Sequence, residues 1–289
     1  MKFFEFWTLN FELKIMCIFA ENISGINQKR IKMRKILIFG MIMVISVAML
    51  MTSCKKDKVK KDEDKVLTDA VTDIDGNSYD AVKLGDQVWM AENLRTTRYA
   101  DSTPIPEGEM PSSGSPFRYA PHGNPSNVST YGYLYNWQAV KHGSNSSNSN
   151  PSHVQGVCPE GWHVPSNAEW TALLDYMKTQ PAYVAGDNTE HLAKALTVNW
   201  GWNTSDEADA PGNNPSTNNA TGFSALPAGC FHYFGDYPSF GYNATFWTAT
   251  AHETYENTAY YRNINYGIAN VQEDMGDTYF GFSVRCVKD

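Results

Sequence analysis

Ser166-Asn167-Ala168-Glu169-Trp170-Thr171-Ala172-Leu173-Leu174-Asp175-Tyr176-Met177-Lys178 carries the clearest local grammar in the chain. Ser166 and Glu169 form a capping box: the hydroxyl takes a free helix N–H while the carboxylate reaches back. Trp170, Leu173, Leu174 and Met177 follow at i, i+3, i+4 and i+7, one apolar stripe over two turns. A helix is therefore predicted over Asn167–Lys178. A second is predicted near Thr189–Leu196, with Asp187 and Glu190 repeating the capping pattern and Leu192, Ala195 and Leu196 facing inward. Outside these two stretches the pattern changes to short strands and turns. Residues 73–90 read as strands broken at Asp75-Gly76-Asn77 and Gly85-Asp86, with Tyr79, Val82, Leu84, Val88 and Met90 supplying buried faces. Asp73, Asp75 and Asn77 resemble the start of a calcium loop, but Ser78 stands where that loop needs glycine, so a turn is the better reading. Tyr131–Trp137 is an aromatic, core-facing stretch, whereas 101–128, 143–152 and 203–221 are rich in Pro, Gly, Ser or Asn and read as exposed loops. From Phe223 the chain returns to strand-like pieces, ending in Phe282–Val287. Few helices, many short strands and heavy loop content give an α+β domain.

The front of the 289-residue chain is an address rather than a fold. Met33-Arg34-Lys35, an uncharged run from Ile36 to Met51, and then Thr52-Ser53-Cys54 have the parts of a secretory signal. That run is short for a bilayer span, which needs about 20 residues. Cys54 at the cleavage point resembles the lipobox cysteine of bacterial lipoproteins, which is acylated after cleavage. Met33 is the expected start, and 1–32 stand as an upstream extension outside the fold. Lys55 onward is charged and has almost nothing to bury, so 55–70 is read as a solvated tether. The domain itself is expected over 71–289. Residues 55–289 hold 16 Lys and Arg against 28 Asp and Glu, and that acidic balance makes a nucleic-acid duplex a poor partner.

Several segments in order carry a family likeness: DIDGNSYDAVKLGDQVWMAENLR (73–95), YGYLYNWQAV (131–140), VCPEGWHVPSNAEW (157–170), FSALPAGC (223–230), FWTAT (246–250) and GFSVRCVKD (281–289). Together they resemble the Fibrobacter succinogenes major paralogous domain of Bacteroidetes surface lipoproteins, which is similar in fold to C-type-lectin-like domains and formylglycine-generating enzymes. The resemblance implies a small twisted antiparallel sheet, two flanking helices, long loops and a C-terminal variable ligand face. It also implies an outer-membrane lipoprotein at the cell surface, held in the membrane by lipid at Cys54.

Catalytic templates fail on inspection. The seven histidines are scattered, with no HExxH, no Cys/His zinc spacing, no GxSxG elbow and no phosphate loop. His163 reads as a packed residue at the helix entry. The close Cys pair of the formylglycine-generating relatives has no counterpart, since Cys230 and Cys286 lie far apart, and the calcium signatures of lectins are missing too. The expectation is a binding protein without catalytic residues, metal or cofactor. An exported chain favours paired thiols. Cys158 and Cys286 lie in framework-like segments, so they are the expected disulfide, the alternative being three buried thiols.

Residues 231–280 hold 14 aromatics, more than twice the density of the whole chain, and Arg262 as their single Lys or Arg. Tyr with Asn, Ser and Gly is the vocabulary of antibody paratopes. The expected ligand-binding residues are His232, Tyr233, Tyr237, Tyr242, Tyr255, Tyr260, Tyr261, Asn263 and Tyr266, exposed together, with Phe246, Trp247, Phe282 and Val284 buried beneath. The resemblance further implies a target for a diversity-generating retroelement, with Phe246-Trp247, Arg262-Asn263 and 281–289 as fixed framework. The function expected is that of an adhesin or receptor-like lipoprotein binding a glycan or protein. The alternatives are a formylglycine-generating-like or carbohydrate-active enzyme, and a structural envelope or fimbrial subunit.

Overall fold

The computed structural model describes residues 65–110, 114–232 and 234–289. The upstream extension, the signal with Cys54, and the tether up to residue 64 lie outside the described residues. The tether ends earlier than the sequence suggests. Lys65–Thr72 forms strand β1, with Leu67 and Ala70 packed on the core and Val71 buried. Charge alone set the expected boundary at residue 70, and the apolar positions inside that stretch override it.

β1 pairs antiparallel with β2 (Ser78–Leu84), and β2 with β3 (Gln87–Met90). The β2–β3 turn is Gly85-Asp86, where Gly85 takes φ 60° and a Cβ would meet the Tyr176 ring at 2.9 Å. The position needs glycine both for the left-handed backbone and for that close approach. Asp73 organises the preceding turn by accepting from the N–H groups of Asp75 and Asn77 and from the Tyr79 hydroxyl. The turn reading of this acidic cluster holds.

The middle of the chain adds β4 (Arg118–Tyr119), α1 (Val128–Tyr131), β5 (Leu134–Tyr135), α2 (Trp137–Lys141), β6 (Trp162–His163), α3 (Asn167–Lys178) and α4 (Ala193–Leu196). α3 has the predicted bounds, and both halves of its capping box are present. The second helix is only one turn long. Asn188 accepts from the N–H of Glu190 and bonds His191, an Asx turn that takes residues 188–191 out of the helix. Glu190 pairs with Lys178 at 2.9 Å instead of capping. The loop at 101–128 also yields more structure than its composition suggests: Tyr119 is fully buried and stacks on Phe231 at 3.8 Å.

β7 (Asn243–Ala251), β8 (Thr258–Asn265) and β9 (Gln272–Asp277) form an antiparallel meander, and β10 (Val287–Lys288) inserts between β3 and β6. The stretch from Gly281 to Val287 joins everything. Gly281 bridges Phe231, Phe282 bridges Tyr135, Ser283 bridges Phe246, and Val287 lies between Trp89 and His163. A Cys158–Cys286 disulfide fastens this strap to the turn before β6.

Strand alternation splits most of the interior into two cores, with a smaller third cluster of Tyr119, Leu134, Ala228 and Phe231. Tyr79, Ala81, Met90, Trp247, Phe282 and Val284 face one; Val82, Leu84, Trp89, Phe246, Ile264 and Val287 face the other, which α3 closes with Trp170, Leu173 and Met177. Phe246, Trp247, Phe282 and Val284 are buried as expected. Arg285 is buried in the wall between the cores. It donates to Asn93, to the carbonyls of Met90, Phe223 and Ser224, and lies over the Phe223 ring. Burial lowers its pKa to about 9 against the opposing pull of Glu92. The Ser/Asn-rich loop near 143–152 is exposed, yet it has a job: Ser147 and Ser146 take up the edge of β7 at Ala249, Thr250 and Ala251. A sheet edge that would otherwise invite foreign strands is thereby covered.

Candidate functional site

The turn between β7 and β8 is stiffened from within. His252 Nδ1 accepts from the N–H groups of Thr254 and Tyr255, 3.1 Å each, and Thr258 Oγ1 donates to the Tyr255 carbonyl. Tyr255 is thereby held outward, 55% exposed. Across from it stand Met275 and Asp277 of β9, and Phe280, on whose ring His232 stacks at 4.4 Å. These residues and Glu256 line an open depression of about 550 Å³. Its lining holds two carboxylates and neither Lys nor Arg, so it suits a neutral or cationic ligand. Met275 is 41% exposed, a flexible apolar contact on an acidic strand.

Of the nine residues singled out in the sequence, the eight that are described do not form one face. His232 and Tyr255 share the depression. Tyr260 leans on His252, which also touches Tyr255, and donates to Glu253. Tyr261, next along β8, points to the opposite side of the sheet because successive strand side chains alternate. There it packs half-buried on Trp247 and Phe282. Burial, and then Asp274, raise its pKa. Asn263 links Thr245 of β7 and Gln272 of β9 in an amide ladder. Tyr242 and Tyr266 pair edge to face at 5.0 Å, and Tyr237 packs on Phe231. Tyr233 lies outside the described residues. Met275, Asp277, Phe280 and Glu256 were missed, and only the out-of-place methionine in an acidic strand pointed to any of them.

Arg262 behaves as framework. Its guanidinium is buried, bonds Asn167 and Thr171 at the start of α3, and pairs with Glu273 at 2.6 Å, tying helix to sheet.

The groups with reactive potential are otherwise engaged. His163 is buried, with Nε2 on Glu169 and Nδ1 on Asp289, both at 2.7 Å. Burial works against its charge, but these carboxylates prevail and raise its pKa. Both ring nitrogens are occupied, so the imidazole serves as a clamp between the capping box and the end of β10. Cys230 is the unpaired thiol among the described residues, and burial, then Asp236, push it up to about 12, far from a reactive thiolate. Among the described residues no group of three His, Cys, Asp or Glu side chains is placed to hold a metal.

The family model described as Fibrobacter succinogenes major domain matches residues 82–288. The chain belongs to that family. The match begins inside β2 and runs to β10, so it covers most of both cores, the depression and the strap of this Fibrobacter succinogenes major domain, while β1, Tyr79 and Ala81 precede it. No curated protein and no solved structure matches the chain.

Proposed function

We propose that this Fibrobacter succinogenes major domain protein is a surface-tethered ligand-binding lipoprotein with a C-type-lectin-like fold, and not an enzyme. Cys54 would carry the lipid in the outer membrane, and the charged tether would hold the domain off the surface. The observation that carries the binding reading is the open depression between the β7–β8 turn and β9. Exposed Tyr255 and Met275 offer contact area there, while Glu256 and Asp277 supply acceptors. Rings and carboxylates side by side suit a glycan or a neutral-to-basic protein patch, held by stacking and hydrogen bonds.

The test is a glycan and protein array probed with full-length protein and with Tyr255→Ala. Ligands retained by the parent and lost by the variant support the site. Equal retention by both would remove the depression as the binding place. Anchoring is tested separately by Cys54→Ala, expected to accumulate unprocessed precursor; palmitate label incorporated by that variant would refute it.

A further inference from the structure

A second surface carries a row of aromatic rings drawn from segments remote in sequence. His122, Phe240, Tyr131 and Trp200 follow one another at centroid separations of 5.1, 4.9 and 6.1 Å. His122 is exposed, Tyr131 and Phe240 are half-buried, and Trp200 is 47% exposed. Rings of this size in a row on the outside bury apolar area only when something covers them.

The row is held in place. The Tyr131 carbonyl accepts from the buried Asn93 side chain at 2.8 Å. The Trp200 loop is stitched to the Phe240 loop through the Asn203 N–H and the Gly241 carbonyl at 2.9 Å, and Gly241 is itself bonded to Pro227. His122 takes the left-handed conformation, φ 55° and ψ 26°, in a turn whose Pro121 carbonyl is held by the Asn127 amide. A surface fixed in this way loses little freedom when a ligand lands.

Its chemistry is narrow. The three contributing segments, 121–131, 197–205 and 237–243, contain no Lys, Arg, Asp or Glu in a chain that is 19% charged overall, and the charges that directly flank them, Asp206, Glu207 and Asp236, are all acidic. Between the rings they carry Asn, Ser and Thr. A phosphate or carboxylate ligand needs a cation, and a protein interface gathers its rings into an apolar centre with the polar groups around it, whereas here Asn, Ser and Thr stand between the rings. A sugar needs neither: its C–H faces stack on rings and its hydroxyls bond amides and hydroxyls. Neighbouring rings are tilted by 27°, 60° and 65°, so the surface turns along the row. Sugars joined by rotatable linkages can follow that turn; a flat rigid ligand cannot.

We propose that the His122–Phe240–Tyr131–Trp200 row binds a neutral polysaccharide chain. The row shares no residue with the Tyr255 depression, so the two sites stand or fall separately. The test is affinity electrophoresis of the full-length protein through gels containing soluble starch, mixed-linkage β-glucan, galactomannan or, as the charged counterpart, polygalacturonate. At least one neutral polymer should retard the parent. Trp200→Ala and Phe240→Ala should each weaken that retardation by about tenfold or more, as expected for a truncated aromatic anchor. Tyr255→Ala should leave it unchanged, and polygalacturonate should retard nothing. Trp200 is exposed enough that its truncation leaves the fold intact, which circular dichroism checks. The proposal is overturned if no neutral polymer retards the parent, if polygalacturonate is preferred, if folded Trp200→Ala migrates like the parent, or if only Tyr255→Ala abolishes retardation.

Discussion

Breaking the Cys158–Cys286 disulfide should remove a large share of the domain's stability. The bond spans 128 residues of sequence, and both cysteines are fully buried where the strap passes between β3 and β6. In the chain-entropy account, reopening a loop of that length returns about 5 kcal/mol of freedom to the unfolded chain at 25 °C. Domains of this size are stable by only about 5–15 kcal/mol, so the loss is a substantial part of the total. The perturbation is the double variant Cys158→Ala/Cys286→Ala, which leaves no stray thiol from the pair. Unfolding in urea, followed by tryptophan fluorescence, is the assay. With a slope of about 2–3 kcal/mol per molar, the midpoint should fall by about 2 M. A fall worth less than about 1 kcal/mol would refute the reasoning, because the unfolded chain would then hold the two segments together without the bond. Alkylation of both thiols in the unreduced parent would refute the pairing itself.

Three further outcomes follow from the core and its wall. Trp247→Ala should cost about 3–5 kcal/mol in urea unfolding, since the ring is fully buried and its N–H donates to the Tyr135 carbonyl. Arg285→Lys should cost about 2–4 kcal/mol, because one ammonium cannot serve the four groups that the guanidinium fork reaches; a melting temperature equal to the parent's would contradict that account. His163 has a raised folded-state pKa, so its contribution is complete below the unfolded value of about 6.5 and is lost as pH rises through the raised folded value. The stability gap between the parent and His163→Gln should therefore narrow from pH 5.5 to pH 9, and a gap that stays constant or widens would count against the clamp.

What could be read from the sequence was local. α3 was legible to the residue because its cap, its stripe and its end all lie within one short segment, and Gly85-Asp86 announced its hairpin in the same way. α4 was overestimated because Asp187 and Glu190 imitate a cap, while Asn188 uses the same backbone for a tighter turn. β1 was obscured by the charges that precede it. The tyrosine face was misjudged for a reason visible in retrospect: Tyr260 and Tyr261 are neighbours on one strand and must diverge, so composition over 231–280 could not stand in for a surface. The four buried residues came through as apolar positions in strand-like pieces. The disulfide, whose cysteines stand 128 residues apart, came through from the pairing that an exported chain favours rather than from any local pattern. The depression and the aromatic row were not legible. Each draws on segments remote in sequence, and nothing local in Trp200 or Met275 says which rings or carboxylates will stand beside it.

The strap from Gly281 to Val287 has a consequence for how the molecule is made. A chain delivered from its N-terminus presents β3, β5, β6 and β7 before the one stretch that touches all of them. Until that stretch arrives, the two cores lack their common wall, Arg285 is absent from between them, and Cys158 has no partner. Early folding is discouraged by topology, because contacts that close long loops come last. A polypeptide built this way locks only when this later-made stretch has joined the segments that precede it. Cys158 and Cys286 can meet only at that stage, so closure of the disulfide marks the moment when both cores have gained their wall.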